Sequence, residues 1–286
     1  MYWLDFQPKI LLKGEIMFRK MVLLIFVVFL CFVCAGCSVN PVTGKTQFNL
    51  FGPTAGDDMS LGRQWAPEVE KEFGGVVENV ELANYIDYVG QTVARTTHAP
   101  DLEWHFKALE HASVNAFALP GGYIYITTGM LKKLNTEAQM AGILAHESAH
   151  VTIRHSTVRM SQQIGLDALL SIAMPKDASP GVVQTTSIVR QIVGLKYSRA
   201  DEHQADMVGL DYLVKAGYNP YGMVETMEIL ETENSVRPIE FLSSHPAPQD
   251  RKKYLTEKIQ TEHYNLGSLK TGKEDYHRAV LAELNN

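Results

Sequence analysis

The chain has 286 residues, 45% of them hydrophobic and 20% charged, and a formal net charge of −6. That balance excludes wholesale disorder and allows a sizeable core in one large domain or two small ones. The basic residues are scattered rather than gathered into a long run, which excludes a nucleic-acid surface built on clustered Lys and Arg.

All three cysteines, Cys31, Cys34 and Cys37, fall in "LCFVCAGC". A C-x-x-C-x-x-C spacing can hold a metal, but this one lies in an apolar run, 21–36, preceded by Arg19 and Lys20. The arrangement reads as the basic and apolar regions of a secretory signal, and its 16 residues fall short of a membrane span. "CAGC" resembles a bacterial lipobox, cleaved before Cys37 to leave a lipidated N-terminal cysteine, although Cys34 stands where Leu, Val or Ile is usual. An uncleaved signal anchor is the alternative. The expected organisation is a lipoprotein-type signal peptide over 1–36, a tether over 37–55 and one domain over 56–286.

Turn formers dominate 40–57. A helix is expected from Asp58 to about Glu72, ended by Gly74 and Gly75, and a second after Asn79, with Leu82, Ile86, Val89 and Val93 at helical spacing. Between "THAPD" and Met130 the period falls to two, and "PGG" at 120–122 marks a turn between short strands, so a small antiparallel sheet is expected. A third helix opens at Thr136, which forms an S/T-x-x-E/Q capping box with Gln139. After a loop at 174–181, a helix is expected from about Thr185 to Ala216, closed by Gly217, with Asn219-Pro220 opening the next. "RPIEFLSSHPAPQD" reads as irregular, and the final helix begins near Asp250. The fold class is α+β, mostly helical.

His146 and His150, four residues apart, project from one helix face and are close enough to ligate one ion. Glu147 between them completes H-E-x-x-H and is placed to take a proton from an attacking water. A catalytic zinc needs a third protein ligand. His155 is a poor candidate: the metzincin pattern puts its third histidine at position 156, which is Ser156, and its glycine where Ile153 stands. It reads as a solvated or capping histidine at the helix end. Downstream, Glu202 and Asp206 lie one helical turn apart, suited to a ligand and to a carboxylate behind a ligand histidine. They suit a solvated ion-pair face with Arg199 equally well. His203 is a rival ligand but points about 100° away from Glu202.

"HESAH" followed by "SRADEHQAD" resembles the paired motifs of peptidase family M48, the gluzincin metallopeptidases. "NAFALPGGYIYITTGML" is similar to that family's strand segment, "HPAPQDR" to its His-Pro element, and "CSVNPVTGK" to the start of its lipoprotein branch. The resemblance covers residues 56 to about 255. It implies a zincin fold with one Zn2+ per chain between two helices, held by His146, His150 and Glu202, with Glu147 as general base and Asp206 behind the ligands. It also implies that Asn115 and its strand pair with an extended substrate. His245 has two possible jobs, an oxyanion donor or a fourth ligand that closes the site at rest, and Arg251 reads as an anchor for that loop. The implied activity is endopeptidase cleavage of unfolded or damaged envelope proteins at the periplasmic face of an outer membrane. The alternatives are a chaperone or assembly factor with a latent site, and a hydrolase of cell-wall peptides.

Overall fold

The computed structural model describes residues 37–49, 54–163, 194–246 and 248–284, with positions 17, 19–21 and 23. Residues 24–36 of the apolar run with Cys31 and Cys34, the loop at 174–181 and the expected helix start at Thr185 lie outside the described residues.

Side chains rather than propensity set most helix starts. Thr54 and Asp57 form a capping box at α1 (Ala55–Glu72), and Asn79 accepts from the Leu82 amide to open α2 (Val80–Ala94). Strands β3 (His105–Leu109), β4 (Ala116–Leu119) and β5 (Tyr123–Thr127) follow, then the single turn α3 (Thr128–Leu131). Thr136 caps α4 (Glu137–Ile153) through the Gln139 amide, but Gln139 Oε1 accepts from Asn135 N, so the expected box is only half formed. After α4 the chain is helical again over 155–163.

Helix α5 (Arg199–Lys215) begins where Ser198 and Asp201 close a second capping box. Residues 194–198 are not helical, so the helix expected from Thr185 does not run through to Ala216. Periodicity there masked a cap. Helix α6 (Tyr221–Val236) follows, and the stretch read as irregular holds the short helix α7 (Glu240–Ser244). Helix α8 (Pro248–Thr261) is not the last: a helical run over 273–284 returns to the domain, and Tyr276 Oη donates to the Leu131 carbonyl (2.7 Å).

Helix α4 is buried on every side, packed against α2, α5, α6 and the sheet. Its small residues make that possible, because Ala141, Gly142, Ala145 and Ala149 let neighbouring backbones approach. Helix α5 comes close beside the histidines, where a Cβ on Gly209 would stand 3.1 Å from the Cα of His146.

The three-stranded sheet has the order β3-β5-β4. The turn at 120–122 pairs β4 with β5 antiparallel as expected, but β3 pairs with β5 in parallel, so the sheet is mixed. A local turn fixes the first pairing. Nothing local fixes where β3 inserts. Strand β4 is left as an edge, and it packs against α4.

The segment read as a tether is also ordered. Strands β1 (Cys37–Val39) and β2 (Thr46–Phe48) form an antiparallel hairpin that rests on the C-terminal end of α4.

Candidate metal centre

His146, Glu147 and His150 come from α4, Glu202 and Asp206 from the first turns of α5, His245 from the end of α7 and Arg251 from the first turn of α8. All seven residues are at most 2% exposed. Glu202 and Asp206 therefore form no solvated ion-pair face; Arg199 is exposed and lies near Asp250 instead. His203 is exposed with its ring against Tyr254, which removes it as a ligand.

His146 Nδ1 donates to Asp206 Oδ1 at 2.8 Å, so its Nε2 carries a lone pair. That Nε2 lies 3.0 Å from His150 Nε2. His150 Nδ1 is 3.0 Å from His155 Nδ1, and a donor role there leaves its Nε2 bare as well. Glu202 Oε1 is 3.4 Å from His150 Nε2 and 2.9 Å from His245 Nδ1. One donor atom each from His146, His150, Glu202 and His245 fall within 4.8 Å of one another. Two imidazole lone pairs at 3.0 Å repel unless a cation lies between them, and three imidazoles with a carboxylate are zinc donors. The residues fit the ion.

Burial works against charge on both histidines and holds their pKa values down, which keeps them neutral as ligands must be. Burial alone would raise Glu202, but the charges of His245 and Arg251 outweigh it and hold the carboxyl well below its usual range. Arg251 does the same for Asp206: its Nε and Nη2 grip the carboxylate at 2.8 and 2.7 Å, and Nη1 lies 2.7 Å from Glu202 Oε2. Tyr254 donates a further hydrogen bond to Asp206.

Glu147 is the opposite case. It is fully buried, neither oxygen has a fully formed hydrogen bond, and burial pushes its carboxyl up to about 8. The amide of Ala118 on edge strand β4 faces it and favours the ionised form. His245 Nε2 lies 3.7 Å from Glu147 Oε1. Asn115, 1% exposed and immediately before β4, has neither side-chain amide atom paired.

His155 departs from its expected place. It is 4% exposed, not solvated, and faces His150 from behind. The reason is Arg154, whose left-handed backbone (φ 64°) ends α4 and turns the chain back. Tyr197 was not singled out in the sequence; its ring lies 4.1 Å from that of His150 and its hydroxyl meets Ser156 Oγ at 2.9 Å. Its place just before the Ser198 cap is the only local signal for it. Arg251, read as a loop anchor, is held between two buried carboxylates, Asp206 and Glu202. Trp65 and Trp104 are buried in the core, outside the donor cluster.

The sequence model of peptidase family M48 matches residues 81–259, well over half of the chain. The chain belongs to peptidase family M48. The matched span takes in the whole donor set, and metallopeptidases of this family use zinc. Among its relatives is a beta-barrel assembly-enhancing protease of Escherichia coli, 27% identical over 218 residues, which are 70% of this chain and 45% of that one. The mitochondrial metalloendopeptidase OMA1 of Arabidopsis thaliana is 27% identical over 203 residues, 71% of this chain and 40% of its own length. The metalloprotease YcaL of Escherichia coli is 27% identical over 161 residues, 54% of this chain and 62% of that one. The chain thus spans about half the length of the first two relatives, and all three carry protease names. Among the described residues, no helix is long and apolar enough to cross a membrane.

Proposed function

We propose that this M48 chain is a zinc-dependent endopeptidase of the cell envelope, with His146, His150 and Glu202 as ligands. The observation that carries the reading is Glu147: a buried carboxylate without a fully formed hydrogen bond, between a four-donor cluster and the edge strand β4. A structural zinc site has no use for it. A bound zinc ion supplies Lewis acidity that polarises a peptide carbonyl and eases deprotonation of the attacking water. Its positive charge also favours ionised Glu147, whose carboxyl is otherwise held up at about 8. Glu147 then accepts the water's proton on a carboxylate oxygen and returns it to the leaving amine. Strand β4 and Asn115 hold an extended substrate alongside α4, the strand through its free edge and Asn115 through its unpaired amide. Asp206 fixes the His146 tautomer, and Arg251 keeps Asp206 and Glu202 ionised.

The name of the β-barrel assembly-enhancing relatives and the secretory signal read in the sequence support the cell envelope as the place of action. Unfolded or damaged envelope proteins fit a site that reads backbone at a strand edge. Cys37 is the lipidation site in this reading, and the outer membrane's periplasmic face is the location. The variant Glu147→Gln tests the reading: it should keep one zinc per chain and lose hydrolysis of an unfolded protein.

A second reading, an assembly factor with a latent site, is favoured by one observation. His245 Nδ1 stands among the donors, where a fourth protein ligand closes a zinc site. His245→Ala distinguishes the cases. Faster cleavage of unfolded protein marks His245 as a closing ligand, and slower cleavage by about 10²–10³ marks it as an oxyanion donor.

A further inference from the structure

The last carbonyls of a helix have no partner within it, and an uncapped final turn frays. In α4 that turn carries His150, whose carbonyl accepts from the Arg154 amide. Its end is held from outside by the N-terminal hairpin. Asn40, 2% exposed, donates from Nδ2 to the Ile153 carbonyl at 3.0 Å, and Gln47 Nε2 donates to the same oxygen at 2.9 Å. Asn40 Oδ1 meanwhile accepts from the amides of Val42 and Thr43 at 2.9 and 3.1 Å, so one side chain both folds the hairpin's turn and ties it to α4.

The next residue, Arg154, holds a positive φ that a side chain adopts only when its surroundings impose it. Asp58 supplies part of that constraint, accepting from Arg154 Nε and Nη2 at 2.6 and 2.8 Å. The turn at Arg154 places His155 against His150 Nδ1. The hairpin that begins at Cys37 is therefore fastened three residues from one donor of the zinc cluster and two residues from the histidine that orients it.

We propose that Asn40 and Gln47 are positioning residues for the zinc site, making the hairpin that begins at Cys37 a part of the metal centre rather than a passive tether. The inference rests on the zinc reading above. Without the two donors, the last turn of α4 opens, His150 loses its fixed direction, and the metal is held less tightly.

The test uses full-length protein loaded with zinc, or with cobalt as a spectroscopic stand-in. Asn40→Asp keeps the acceptor that folds the turn and removes the donor to Ile153, and Gln47→Ala removes the second donor. At a temperature well below melting, each should lose zinc to a chelator about tenfold faster than wild type, the scale of other groups that orient metal ligands. The visible bands of the cobalt protein should change with it, while the exposed hairpin control Thr46→Ala behaves as wild type. If Asn40→Asp fails to fold, Gln47→Ala decides alone. Wild-type chelation rates and cobalt bands in the variants overturn the inference, even if their melting temperatures fall, because a purely structural clamp predicts that result. A wild-type protein that binds neither metal overturns the zinc reading and this inference together.

Discussion

A neutral imidazole has one N–H, so whatever binds Nδ1 decides whether Nε2 can ligate. Asp206 makes that decision for His146 and His155 makes it for His150. The first partner was legible in the sequence, because Glu202 and Asp206 share a helix face whose spacing suits a ligand and its support. The second was not. Helical geometry extended through Arg154 puts His155 away from His150, and only the left-handed turn at Arg154 brings it back. A sequence does not display a positive φ at an arginine. His155→Ala leaves the four donors in place, so zinc content should stay near one per chain at saturating metal. Affinity should fall about 10–100-fold in a competition titration, because His150 is then free to turn.

Between elements, the decisive contact is α4 on α5, since each helix brings half of the donor set. Gly209 sets their separation at His146. Gly209→Ala gains about 1 kcal/mol in helix propensity but places a methyl 3.1 Å from the Ala145 carbonyl and the His146 Cα. Overpacking of this kind costs about 1–3 kcal/mol, so the variant should be net destabilised in denaturant titrations and should hold zinc more weakly. A stabilised variant with unchanged zinc affinity would show that the helices can part without disturbing the site. The starts of α2 and α4 were readable at Asn79 and Thr136. The pairing of β3, the α5 start and α7 were not, because they depend on partners distant in sequence or on a cap inside a periodic run.

For the molecule as a whole, the described core has two clusters on either side of the sheet, and the buried polar site lies along α4 between helices. Several buried ionisable groups there are satisfied by one another, and the lone-pair contact between His146 and His150 is relieved by a cation. Binding free energy is then folding free energy. Chelation should lower the melting temperature by roughly 5 °C or more, read by calorimetry with and without zinc. The sequence disclosed the site at this scale through four motifs in order. It did not disclose that two segments flanking the domain meet α4, the hairpin at its C-terminal end and Thr271 and Gly272 at its N-terminal end.

The central claim, that Glu147 is the proton-transferring base of a zinc endopeptidase, is tested most directly by pairing one variant with two readouts. Wild type and Glu147→Gln are assayed for cleavage of an unfolded protein and for bound zinc on the same preparations. The account predicts equal zinc content, near one per chain, and cleavage lower in the variant by about 10²–10⁴-fold. Cleavage by the zinc-loaded variant at close to the wild-type rate would contradict it.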